Sequence, residues 1–129
     1  MGELRWKVPT DFARSEWLFN HAVAKKAETP FVLLVEGVPD VLRAAEAGAV
    51  AVAGFGNDLS TAQVGKLVSL DKRVVVAFDN DNAGRSGAES TVRLLRREGV
   101  RADILHPPVQ FKDVGEMATT DVKEWMLSA

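Results

Sequence analysis

The chain has 129 residues, 47% hydrophobic and 26% charged, which is the make-up of one globular domain without room for a second core. It contains no cysteine and no tyrosine, which excludes disulfides, thiolate zinc or iron–sulfur sites, a cysteine nucleophile and a phosphotyrosyl link to nucleic acid in this chain. A net charge of −2 lacks the positive field of a stand-alone nucleic-acid binder, and with no leader pattern or membrane-length apolar run the expected address is the cytoplasm.

Residues 15–26 predict an opening helix whose apolar side carries Trp17, Leu18 and Ala22. Phe31–Val35 is a continuous apolar run and predicts a strand buried on both faces. A helix follows. Pro39 suits its first turn, Val38, Val41, Leu42 and Ala45 recur at helical spacing, and Gly48 stops it. Ala49–Ala53 predicts a second strand. Ser60 and Gln63 have capping-box spacing, with Leu59 and Val64 as a hydrophobic staple and Val64, Leu67 and Val68 on one face. Arg73–Phe78 predicts a third buried strand, and residues 82–98 a longer helix with Ala88, Val92 and Leu95 inward and Gly99 as its stop. Arg101–Leu105 alternates more and predicts a fourth strand near an edge, ended by Pro107 and Pro108. Thr120–Leu127 predicts a terminal helix with Val122, Trp125 and Met126 on one face.

Strands alternating with helices imply an α/β fold, with about four mainly parallel strands and helices on both faces. Residues 1–29 form a lead-in with an extra N-terminal helix, and residues 30–129 form the α/β domain with its C-terminal helix. Ligands of open parallel sheets bind beyond the carboxyl ends of the strands, and acids fall there. Glu36 and Asp40 follow the first strand, Asp79 and Asp81 the third, and Asp113 and Glu116 the loop after the fourth. If strands one and three are neighbours, Glu36, Asp79 and Asp81 converge.

Carboxylates at that density repel one another, and a divalent cation is the simplest reconciliation. All-oxygen donors favour a hard ion, Mg²⁺ first, with Mn²⁺ and Ca²⁺ as alternatives. Gly37 and Gly84 allow close backbone approach, and the helix after Asp81 offers its first N–H groups to an anion. Taken singly, each acid reads as structural: Asp-x-Asp as a solvated turn, Asp40 as a first-turn acid, Glu36 as an ion-pair partner. The coincidence of three clusters at three strand ends favours a metal site. His21 and His106 read as structural, Trp17 and Trp125 as packing residues, and Trp6 as exposed. Arg93, Arg96, Arg97 and Arg101 read as a solvated face.

Three segments resemble motifs of Toprim domains. Glu36-Gly37-Val38-Pro39-Asp40-Val41 resembles E-G-x-x-D-V, and Val52-Ala53-Gly54-Phe55-Gly56 resembles V-A-x-x-G. Asp79-Asn80-Asp81-Asn82-Ala83-Gly84-Arg85 resembles D-x-D-x-A-G-R. The resemblance covers about residues 30–118, and the DNA primase branch fits best. Lys112-Asp113-Val114-Gly115-Glu116 is similar to the K-D-x-N-E segment of phage-type helicase-primases. The lead-in through Asn20 is similar to the segment ahead of the Toprim domain in phage and mobile-element primase-like proteins.

The resemblance implies a Rossmann-like Toprim fold. It implies Glu36 as general acid/base and metal neighbour, Asp79 and Asp81 as principal Mg²⁺ ligands, and Asp40 and Asp113 as the rest of the acidic patch. Arg85 and Lys112 would contact phosphate, and Gly56 joins Gly37 and Gly84 as a backbone-approach position. Val38 stands where an aromatic is common, Asn80 where Gly is usual, and Gly115 where Asn is frequent. The implied activity is Mg²⁺-dependent nucleotidyl transfer, making an RNA primer on a single-stranded DNA template from NTPs, within a larger protein or complex. A zinc-finger or basic primase module, or a helicase, would be the partner, and no membrane. Two other readings stand beside it: a Toprim-type metal-dependent nuclease, and a non-catalytic metal- and phosphate-binding module of a replication complex.

Overall fold

The computed structural model describes residues 17–129. The element order is α1 (His21–Lys26), β1 (Phe31–Val35), α2 (Val38–Glu46), β2 (Ala51–Ala53), α3 (Thr61–Leu70), β3 (Arg73–Val76), α4 (Asn82–Arg97), β4 (Ala102–Ile104), a 3₁₀ turn (Val114–Glu116) and α5 (Thr119–Met126). The four strands form one parallel sheet in the order β2-β1-β3-β4. The expected α/β architecture is therefore present, β4 is an edge strand as expected, and β1 and β3 are neighbours.

Alternate residues of β1 face opposite layers, which is why the run is apolar throughout. Val32 and Leu34 pack with Ala24 of α1, Val64 and Leu67 of α3, and Val92 and Leu95 of α4. Leu33 and Val35 pack with Val41 and Ala44 of α2, Val114, and Val122 and Trp125 of α5. Ser60 caps α3 as its spacing predicts: its side chain accepts from the Gln63 N–H at 3.1 Å, and Gln63 Oε1 accepts from the Ser60 N–H at 3.0 Å. Gln63 also donates to the carbonyls of Trp17 at 2.7 Å and Gly54 at 3.0 Å, so this cap clamps three segments.

Several sequence expectations change. The opening helix is only His21–Lys26 within the described residues. Phe19 pairs antiparallel with Ala53, and Asn20 is left-handed at φ 70°, so helical backbone cannot run through 17–20. Leu18 is buried from outside the helix, Ala24 rather than Ala22 points inward, and Trp17 is 50% exposed rather than packed. Residues 15 and 16 of that helix, and Trp6, lie outside the described residues. In α2 the inward residues are Asp40, Val41 and Ala44, whereas Leu42 is 55% exposed and Ala45 is exposed. The helix is rotated to bury Asp40 against the 3₁₀ turn. In α3, Gln63 and Leu70 are buried and Val68 is turned outward. β1 spans Phe31–Val35 as expected, whereas β2, β3 and β4 are shorter than their predicted runs; Ala77 and Phe78 stay buried after β3 ends. His21 is structural as expected: its Nε2 donates to the Lys66 carbonyl at 3.0 Å, tying α1 to α3.

Candidate active site

Both central strands end at acids. Glu36 directly follows β1, and Asp79 follows the buried Ala77-Phe78 extension of β3. Because β1 pairs with β3, the two meet: Glu36 Oε2 accepts from the backbone N–H of Asp79 at 2.7 Å, and their carboxyls are hydrogen-bonded to each other. Burial pushes the Asp79 carboxyl up to about 8, and the bond to Glu36 and the charges of Glu36, Asp40 and Asp113 add to the rise. Two carboxyls in such contact hold one proton between them more readily than two charges.

Asp40 is 6% exposed. Its Oδ1 accepts from the Gly115 N–H at 2.7 Å and its Oδ2 from the Gly37 N–H at 3.3 Å. Burial raises its carboxyl to about 6, against the pull of those two donors, and Asp113 and Glu36 add repulsion. Asp40 thus fastens α2 to the 3₁₀ turn with both oxygens engaged. Asp113 caps that turn through the Glu116 N–H at 3.0 Å, and Glu116 returns the bond to the Lys112 N–H at 2.7 Å. Asp81 caps α4 through the Gly84 N–H at 2.6 Å. Asp81 and Asp113 each keep Oδ2 free of hydrogen bonds with described residues.

The glycines differ. A Cβ on Gly84 would overlap the carbonyl oxygen of Asp79, so only glycine lets α4 begin against the end of β3. At Gly37 a Cβ would meet ordinary contacts no closer than 3.5 Å, so close approach does not require glycine there. Gly56 has open space but a φ of +148°, so its role is conformational.

Arg85 and Lys112 are exposed, and their side chains form no ion pair with a described residue. Glu36, Asp40, Asp79 and Asp113 are close enough to perturb one another, while Asp81 is exposed at the head of α4. Among the described residues, no group of three or more His, Asp or Glu side chains stands ready to hold an ion. The donor chemistry nevertheless fits a hard cation. Glu36 and Asp79 adjoin, Asp81 and Asp113 have an uncommitted oxygen each, and a hard cation held by these carboxylates would offset their mutual repulsion.

Two positioning residues were not assigned these roles from sequence. The Asn80 side-chain amide donates to the carbonyls of Pro107 at 2.7 Å, Phe111 at 2.9 Å and Pro108 at 3.1 Å, and its backbone N–H donates to the Lys112 carbonyl at 2.6 Å. It pins the loop that delivers Asp113. Gly115 supplies the N–H that holds Asp40, and a Cβ there would lie 3.0 Å from Asp40 Oδ1. The only sequence signal for either was a departure from the motif: Asn in place of Gly, and Gly in place of Asn.

The family model described as Toprim-like matches residues 33–118. A DNA primase of Enterococcus faecalis is 37% identical over 90 residues, covering 67% of this chain and 14% of the relative. The crystal structure of the Aquifex aeolicus primase zinc-binding and RNA polymerase domains aligns with a TM-score of 0.75 at 27% identity, over 95% of this chain and 32% of that one. A DnaG primase catalytic domain bound to single-stranded DNA aligns with a TM-score of 0.74 at 24% identity, over 95% of this chain and 43% of that one. The chain spans 14% to 20% of the length of the curated relatives it matches. No helix among the described residues is long and apolar enough to cross a membrane. With the motif-bearing strand ends, the sheet order and the family match over most of its length, this chain belongs to the Toprim-like family and is similar to the corresponding part of DNA primases.

Proposed function

We propose that this chain is the Toprim unit of a primase-type nucleotidyltransferase, acting in the cytoplasm with further protein elements that grip the template. Residues 30–129 are the unit and residues 1–29 its lead-in. The observation that carries this reading is the meeting of Glu36, Asp79, Asp40 and Asp113 at the carboxyl ends of two adjacent parallel strands. Asp79 and Asp81 would hold Mg²⁺, or Mn²⁺ in its place, with Glu36, Asp40 and Asp113 completing the acidic patch. When bound, the ion lowers the charge on triphosphate and attacking oxygens. Glu36, whose Oε2 accepts from the Asp79 N–H, would act as the general acid/base beside the ion. Asp40 orients the 3₁₀ turn. Arg85, in the first turn of α4, and Lys112 meet phosphate oxygens of the NTP or of the single-stranded DNA template. A zinc-binding module like that of the Aquifex primase, or a helicase, supplies the remaining contacts.

The test pairs calorimetry with a gel. Titration with Mn²⁺ should show binding to the wild type that is lost in the Asp79→Asn, Asp81→Asn double variant. On labelled single-stranded DNA with Mg²⁺ or Mn²⁺, new NTP-dependent products lost in that variant support the proposal. Shortened DNA without NTPs, also lost in the variant, overturns it in favour of a nuclease. Metal binding with no change in any lane, even beside a primase partner module, overturns it in favour of a binding module.

A further inference from the structure

At the opposite end of the sheet lies an open groove of about 580 Å³, with Arg73, Arg96, Arg101 and Asp103 on its walls and Gly99 and Val100 between them. Three chain segments build it: the start of β3, the end of α4 and the start of β4. Three arginines and one aspartate therefore line one groove, in a chain whose net charge is −2.

Two of these arginines are held in place. Arg73 Nε donates to Asp103 Oδ2 at 3.0 Å, and its guanidinium lies 5.7 Å from the centre of the Phe31 ring. Arg96 Nε donates to the Ala102 carbonyl at 2.9 Å, and one of its terminal nitrogens donates to Asp103 Oδ1 at 3.2 Å. Each guanidinium has five N–H donors, so most remain unspent. Asp103 acts as a spacer that orders both forks at little entropic cost on binding. Arg101 is exposed and forms no ion pair with a described residue. Arg93 and Arg97, exposed on α4, extend the band, since residues 93, 96 and 97 share a helix face. The run of arginines reads from sequence as a solvated face. Arg73, arriving from a different element, turns part of it into a concave and partly ordered site.

We propose that this groove binds the phosphodiester backbone of a nucleic-acid strand, at a site separate from the acidic cluster. Planar guanidinium forks match phosphate oxygens two at a time, and a concave basic wall concentrates the field on a polyanion. Arg73 and Asp79 are six residues apart along the same chain direction, or about 20 Å at strand rise. A strand reaching both ends of the sheet would span about six nucleotides at duplex spacing. The choice of nucleic acid as ligand rests on the primase-type reading, but the groove is tested without it.

The test is fluorescence anisotropy of a labelled single-stranded DNA, and of an RNA of the same sequence, with divalent ions chelated. The wild type should bind at about 50 mM salt and weaken steeply as salt rises, by about 0.7 in log–log slope per phosphate contacted. Arg101→Glu should raise Kd by about tenfold and flatten the slope by about that amount. Arg43→Glu, the same charge change on α2, should leave binding nearly unchanged. Equal losses in the two variants would mean diffuse charge and overturn the groove. So would no binding by the wild type, or polyglutamate competing as well as DNA, which would point to an acidic peptide. Binding to DNA alone or RNA alone, lost in Arg101→Glu, upholds the groove and identifies its strand. Because chelation silences the acidic cluster, failure here leaves that site's reading intact. Failure of the metal titration likewise leaves the groove intact.

Discussion

The Asp79→Asn variant should stabilise the metal-free domain, and only at high pH. Folding raises the Asp79 carboxyl from 3.8 to about 8 by burying it beside Glu36. Between those values the folded state holds a proton that the unfolded chain has released, so stability falls as pH rises. A tenfold change in proton affinity is about 1.4 kcal/mol, which sets a ceiling of about 6 kcal/mol for the whole displacement. Asp79 is partly exposed, and solvent screening reduces the realised cost to about 1–3 kcal/mol. Asparagine fills the same volume, bears no charge and can donate to Glu36. At pH 9 the variant should therefore melt about 4–12 °C above the wild type, taking about 4 °C per kcal/mol for a domain of this size. At pH 4, where the wild-type carboxyl is protonated in the folded state, the two should nearly coincide. Differential scanning calorimetry in chelator over this range is the assay. A variant that melts lower than the wild type at pH 9, or a difference independent of pH, would refute the reasoning. Adding Mg²⁺ at pH 9 should then stabilise the wild type more than the variant, because only the wild type keeps the full carboxylate set.

Gly84→Ala should cost about 1–3 kcal/mol in urea denaturation, since α4 must retreat from the Asp79 carbonyl. Gly65→Ala, at an open position inside α3, should instead add about 0.5–1 kcal/mol by the same measurement. Asn80→Ala strips donors from three loop carbonyls and should cost about 1–3 kcal/mol, with faster hydrogen exchange at the Gly115 amide as its local readout. Ser60→Ala should cost about 1 kcal/mol through loss of the α3 cap, measured as a lower midpoint with an unchanged denaturant slope.

Buried strands and capped helices were legible because their signals are local. Phe31–Val35 is apolar at every position since both faces of β1 are covered, and Ser60 and Gln63 carry a two-residue cap signature. The strand-end acids were legible for a topological reason: in a parallel sheet, sequence position fixes which end a residue occupies. Helix rotation was not legible. In α2, Leu42 looks like a core residue by type, yet Asp40 takes the buried face because backbone N–H groups of Gly37 and Gly115 await it. Gly115 is 75 residues away, and no local pattern encodes that bond. The opening helix failed similarly, because the backbone groups of Phe19 are paired with Ala53 of β2 instead of making helical bonds. Asn80 reads as a turn residue, and its three carbonyl partners become visible only once the chain after β4 folds back.

The pairing of Phe19 with Ala53 also bears on how this molecule behaves in a crowded solution. An open sheet exposes two strand edges, and an unpaired edge invites another chain to add to it and start an aggregate. Here the outer side of β2 is occupied at Ala53 by two bonds, Phe19 N–H to Ala53 carbonyl at 2.8 Å and Ala53 N–H to Phe19 carbonyl at 3.3 Å. The other edge, β4, is three residues long and is followed within four positions by Pro107 and Pro108, which have no N–H to donate. One edge is thus plugged by the chain's own lead-in and the other is kept too short to template a neighbour. A truncation that removed Phe19 would reopen the first and leave the domain prone to edge-to-edge association.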